Sequence, residues 1–245
     1  MKPLTLVTPY SPDPFLDKML LSLAKSDLVE RIILISYKPA HLKTEKGIVL
    51  TAGSFHASQT LNMILEKIRT KYLLFLLETQ PLTINPNALQ RLIDVADSTQ
   101  AGIVYSDFYD ESGHKKSFHP LNDYQLGSVR DDFDFGTLLF FSAPLIRKTL
   151  KKYGAIPSMD FAGLYDLRLK LSIDHSIHHL KEPLYSLIKT KDSSNGERSF
   201  HYVDPKHRAL QKEMETIFTN HLKHTGAYLL PSFKEIKPSS KSFPV

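Results

Sequence analysis

Short, almost wholly apolar runs separated by amphipathic stretches of helical period constrain this chain more than any other feature. Leu4–Val7, Arg31–Ser36 and Tyr72–Leu77 are β-prone and nearly continuous in hydrophobicity. That is the pattern of strands covered on both faces, whereas a strand with one wet face alternates. Between them, Phe15, Met19, Leu20 and Leu23, and then Leu61, Ile64, Leu65 and Ile68, recur at helical spacing. Asp13-Pro14 supplies a cap and a first-turn proline for the first of these helices. Strands alternating with helices predict an open α/β sheet, mostly parallel and flanked by helices, whose ligand crevice lies at the carboxyl ends of its strands.

Downstream the pattern continues with less regularity. Ile48–Leu50 is a short strand candidate, Asn85-Pro86-Asn87 caps a helix carrying Leu89, Leu92, Ile93 and Ala96, and Gly102–Tyr105 begins a strand with Asp107 just past its end. Residues 111–134 are polar and read as a long loop ending in Asp131, Asp132 and Asp134. Thr137–Phe141 reads as a strand, Pro144–Lys151 as a short helix, and Ile177–Leu187 as a strand broken by Pro183. Tyr165–Leu171 reads as a helix, although its apolar residues alternate ambiguously. Lys189–Arg198 has no apolar residue and reads as an exposed loop. Leu210, Met214, Ile217, Phe218 and Leu222 then mark a C-terminal amphipathic helix. The organisation expected is a domain over 1–190, a loop and amphipathic helix over 191–226, and a linker-like Pro/Ser/Lys-rich tail over 227–245 leading to a further domain after Val245.

Composition excludes several functions. With no cysteine, neither a disulfide framework nor a thiolate zinc site is available. Net charge is +5, but the basic residues are dispersed rather than gathered in a stripe with aromatics, so nucleic acid is not an expected partner. No apolar run approaches the roughly 20 residues of a membrane span, and the N-terminus lacks a signal peptide's long apolar stretch. The expected location is cytoplasmic, either free or peripheral at the inner membrane face. No G-x-G-x-x-G follows Val7, which argues against a dinucleotide oxidoreductase. His175, His178 and His179 fall around a predicted strand that turns His178 and His179 to opposite faces, so they do not make a shared metal site.

Four stretches carry a resemblance. LTLVTPYSPDPFLDKMLLSL, ASQTLNMILEKIRTKYLLFLLETQPLTINPNAL, AGIVYSDFYDESG, and DFGTLLFFSAPLIRK followed by GLYDLRLKL stand in the order of the segments of family 2 glycosyltransferases. The chain resembles that family over roughly residues 4–190. The resemblance implies a GT-A fold, Rossmann-like and nucleotide-sugar-binding, with a mixed, mostly parallel sheet. It implies inverting glycosyl transfer from a nucleotide-diphospho-sugar donor to a glycan or lipid-linked acceptor, in polysaccharide or glycoconjugate biosynthesis.

By the same resemblance, Thr8, Pro9, Tyr10 and Ser36 fall where the nucleoside is held, and Asn62 matches the family's helix asparagine. Glu78 matches the first carboxylate of the D-x-D motif. Gln80 stands at its second acid, which would leave Glu78 and Gln80 to hold the magnesium or manganese ion that neutralises the departing diphosphate. Asp107, Asp132 and Asp134 fall on the acceptor side. The family's general base belongs to an acidic pair at a helix start, where this chain has Gly163-Leu164. Either Asp160 or Asp166 takes the acceptor's proton, or the domain is an inactive module that positions acceptor or partner for an active domain elsewhere.

Overall fold

The computed structural model describes residues 1–40, 42–113, 115–188 and 208–232. Its strands are β1 (Leu4–Pro9), β2 (Val29–Ser36), β3 (Gly47–Thr51), β4 (Tyr72–Leu76), β5 (Leu82–Ile84), β6 (Ile103–Ser112), β7 (Lys115–His119), β8 (Leu138–Ser142) and β9 (Ile177–Ile188). Its helices are α1 (Pro14–Ala24), α2 (Ser58–Lys67), α3 (Ala88–Thr99), α4 (Ala143–Tyr153), α5 (Gly163–Asp174) and α6 (Arg208–Thr225). The strands form one sheet in the order β3-β2-β1-β4-β8-β6-β9-β5, with β7 paired to β6. β3, β2, β1 and β4 run parallel, β8 runs antiparallel to both β4 and β6, and β6 and β9 are parallel.

The continuous apolar runs are explained by helices on both faces. On one face Leu4, Leu6, Ile32, Leu34 and Leu74 meet Leu16 and Leu20 of α1 and Leu89 and Leu92 of α3. On the other Val7, Ile33, Ile35, Leu73 and Phe75 meet Leu61 and Ile64 of α2, Ile146 of α4 and Leu167 and Leu171 of α5. Neighbouring residues of one strand thus feed opposite cores, as the pleat requires. α1 starts where expected, with the Asp13 carboxylate accepting the Phe15 N–H at 2.8 Å and Pro14 in the first turn.

Three expectations are corrected. Residues 111–134 are not all loop, because Lys115–His119 pairs with Phe108–Ser112 as a hairpin. Asp107 lies not past the end of β6 but within it, at a register shift between Ser106 and Phe108. β9 is not broken at Pro183 but runs unbroken from Ile177 to Ile188, its pairing with β6 lapsing only between Leu180 and Tyr185. The exposed loop expected over 189–198 and the tail from 233 lie outside the described residues.

The ambiguous pattern of α5 has a physical cause. Gly163 to Ser172 are all buried, including Asp166, Arg168 and Lys170, so no single face is apolar. The C-terminal helix α6 packs on α5 through a separate cluster in which Ile217 joins Ala162, Tyr165 and Leu169, with Met159 and Met214 at its margin. Burying Ile217 contributes about 1.5–3 kcal/mol to that docking. Among the described residues, no helix is long and apolar enough to cross a membrane.

Candidate functional site

Two strands deliver the site. β4 is buried throughout and releases Leu77 and Glu78 at its carboxyl end. β8 runs the opposite way beside it, so the residues that precede β8 arrive at the same edge, where the Leu77 N–H donates to the Thr137 carbonyl at 2.9 Å. The approach to β8 is tightly turned. Asp134 Oδ1 accepts the Gly136 N–H at 2.9 Å, and Tyr185 Oη accepts the Thr137 N–H at 2.8 Å. Gly136 has φ +68°, and a Cβ there would lie 2.2 Å from the Tyr185 hydroxyl, so only glycine fits.

Between these elements opens a cleft of about 900 Å³, lined by His56, Leu77, Glu78, the loop from Arg130 to Gly136, and Leu210, Gln211 and Met214 of α6. Its loop wall rests on Arg168. That guanidinium is buried, donates to the Arg130 carbonyl at 2.7 Å, and lies 5.0 Å from the ring centre of Tyr165, 5.5 Å from Phe135 and 5.9 Å from Tyr124. Aromatic faces attract the cation where no carboxylate is bonded to it, and burial lowers its pKa. Arg130 itself holds Asp132 through two hydrogen bonds of 2.9 Å.

The start of α5 is tied to the His56 turn, which lines the cleft, and is closed to side chains. The Gly163 N–H donates to the His56 carbonyl at 2.9 Å, the Ser58 N–H to the Met159 carbonyl at 2.9 Å, and a Cβ on Gly163 would come within 2.8 Å of His56 O and Ser58 N. Leu164 is turned into the core. Neither position presents an acid to the cleft. The backbone N–H groups of Asp160, Phe161 and Ala162 instead converge on the Glu213 carboxylate of α6, at 3.0, 2.8 and 3.1 Å. A carboxylate is well suited there, since the first turn of a helix has N–H groups without intrahelical partners and a positive dipole end.

The residues singled out in the sequence divide into three groups. Glu78, Asp132 and Asp134 share the cleft. Thr8, Pro9, Tyr10 and Ser36 come together at the adjoining ends of β1 and β2, where Pro9 pairs with Ile35 and the Tyr10 N–H donates to the Ile35 carbonyl at 2.7 Å. Thr8 is fully buried, and the Ser36 hydroxyl donates to the Lys38 carbonyl at 2.7 Å. The remainder stand apart from the cleft. Asn62 is on an exposed position of α2, and Gln80 and Asp160 are exposed and not among the described residues that line it.

Asp166 is buried against Lys170, 2.8 Å away, with its carboxyl pKa raised mainly by desolvation. Lys170 donates in addition to the carbonyls of Gly154 and Ala155, so this pair belongs to the packing of α5. Asp107 is likewise interior, accepting the Leu121 N–H at 2.8 Å and lying 2.8 Å from His179 Nε2. His179 Nδ1 is 2.7 Å from Asp123, and its ring stacks on Tyr105 at 4.8 Å. The Asp123 carboxyl is held below its usual pKa by Lys181 and then by His179. His179 therefore links the interior Asp107 to the exposed Asp123, a network that pins the 121–123 segment to β6 and β9.

The donor set does not fit a protein-held magnesium or manganese ion. Gln80 is not among the described residues that line the cleft with Glu78, and among the described residues no three His, Asp or Glu side chains gather to hold a metal. No chemical step is assigned to such an ion.

A mostly parallel sheet with helices on both faces, β8 inserted antiparallel, and a cleft at the carboxyl edge define a GT-A-like α/β fold. Solved structures of S. aureus TarS share it. The crystal structure of TarS 1–349 superposes with a TM-score of 0.60 at 13% identity, covering 91% of this chain and 66% of that one. The same fragment in complex with UDP-GlcNAc gives 0.53 at 14% identity, covering 78% and 59%, and in complex with UDP 0.54 at 15%, covering 78% and 61%. This chain thus spans less than two thirds of the TarS fragment. No family model matches the chain, and no curated protein matches it in sequence.

Proposed function

We propose that this chain is a glycosyltransferase-type domain that binds a nucleotide-diphospho-sugar, with the nucleoside against the ends of β1 and β2 and the sugar in the cleft beside Glu78. The observation that carries this reading is the cleft itself. It lies at the carboxyl edge of a sheet whose fold is shared with TarS, a protein seen with UDP-GlcNAc and UDP, and it is rimmed by Glu78, Asp131, Asp132 and Asp134, whose oxygens suit sugar hydroxyls. Thr8, Pro9 and Tyr10 lie at the end of the strand beside that of Glu78 and Ser36 one strand further on, which supports the donor's orientation.

The reaction is inverting transfer of family 2 type, with a glycan or lipid-linked hydroxyl attacking the face of the anomeric carbon opposite the diphosphate. Its setting is polysaccharide or glycoconjugate biosynthesis on the cytoplasmic side. Closure of the α5 start at Gly163 and Leu164 favours one second reading, an inactive module that positions acceptor or partner for an active domain elsewhere. Calorimetric titration of UDP, UDP-GlcNAc and GDP, with and without manganese, tests the donor binding that the first reading requires. Saturable UDP binding is the expected result, and no heat from any nucleotide refutes the donor site.

A further inference from the structure

A hydroxyl that attacks an anomeric carbon must lose its proton, and the acids expected to receive it are elsewhere: Asp166 is buried on Lys170, and Asp160 stands outside the cleft. The ionisable side chains that do line it, among the described residues, are His56, Glu78, Arg130, Asp131, Asp132 and Asp134. Arg130 cannot accept a proton, Asp132 is bound to it, and Asp134 holds the Gly136 N–H. Of the side chains left, an imidazole is the group whose protonation changes nearest neutral pH, where a general base is most effective.

His56 is also well placed. Its carbonyl receives the Gly163 N–H and its own N–H donates to Ser54 Oγ at 3.2 Å, so the backbone that carries the ring is tied to α5 and to its own turn. The preceding Phe55 is buried against Phe75, ring centres 4.9 Å apart, which anchors the turn from below. No described side chain hydrogen-bonds to the ring, which keeps an edge open to solvent. The residue as a whole is exposed at the cleft wall, while protein packed around its ring lowers its pKa by desolvation, favouring the neutral, proton-accepting form.

We infer that His56 is the catalytic base of this cleft. The inference rests on the donor-binding reading above. As the acceptor oxygen bonds to the anomeric carbon, the bond from that carbon to the diphosphate oxygen breaks and its electron pair leaves with the nucleoside diphosphate. The acceptor's proton passes to a ring nitrogen of His56 and then to solvent through the open edge.

The test uses the whole chain, UDP-N-acetylglucosamine and water as acceptor, following release of UDP by wild type, His56→Ala and His56→Asn. UDP affinity by calorimetry and melting temperature are measured on each. Wild-type release that falls about 100-fold or more in both variants, with UDP affinity and melting unchanged, is the expected result. Variants that release UDP at the wild-type rate, or that lose affinity in step with rate, overturn the assignment. Wild type that binds UDP but releases none from the sugar conjugate overturns it while leaving the donor site standing. A wild type that binds no UDP removes the donor reading first, and this base with it.

Discussion

Gly136 occupies a left-handed backbone region with the Tyr185 hydroxyl where a Cβ would stand. Gly136→Ala therefore combines an unfavourable φ with a steric overlap, and we expect a loss on the order of 2 kcal/mol or more, read by urea denaturation. Tyr185→Phe relieves the overlap but orphans the Thr137 N–H, so the double variant should recover only part of the loss. The Asp166–Lys170 pair obeys a different logic. Lys170→Met leaves a buried carboxylate without its cation and should cost about 3–5 kcal/mol, whereas replacing both by Leu and Met should recover most of it. At this scale the sequence was only partly legible. Glu78 was findable because an apolar strand points to its own carboxyl end. His56 was not, because nothing in GSFHASQT distinguishes a cleft histidine from a surface one. Asp107 misled because a bulge prolongs β6 past the position where its apolar run stops.

At the scale of elements, α6 and the start of α5 form one mechanical unit. Glu213→Ala removes the acceptor of three backbone N–H groups and should destabilise the unit by about 1–2 kcal/mol, with faster amide exchange at 160–162. Glu213→Gln, which keeps one carbonyl acceptor, should lose less. The same helix carries His221, buried, with its pKa lowered by desolvation, by Arg168 of α5 and by His224. The folded state therefore binds that proton less readily than the unfolded chain, whose value is about 6.5. The stability this group contributes is intact above about pH 6.5 and is lost as pH falls through the depressed folded value. Melting curves across that range should show His221→Gln with the shallower acid-side decline. The amphipathic stripe of α6 was visible in the sequence. The completely buried α5 was not legible as a face, since a helix enclosed on every side has no amphipathic period to read.

For the molecule as a whole, the sheet's order and its antiparallel β8 were beyond periodicity, because strand order depends on pairings between distant segments. The two-sided burial of β1, β2 and β4 was within its reach. A ligand that binds only the folded chain raises its stability by mass action, so UDP at 100 times its Kd should add about 2.7 kcal/mol. Thermal melts with UDP and with GDP check this in a single experiment, and equal, negligible shifts would speak against a nucleotide site.

The cleft takes one wall from His56, at the head of α2, and another from Leu210 and Met214 on the last described helix. All nine described strands, and with them both cores of the sheet, precede in the chain the helix that supplies that second wall. Chains truncated before α6 should therefore keep the strand ends that face the nucleoside while losing the sugar-side wall, and so should lose the ability to tell a nucleotide-sugar from the bare nucleotide.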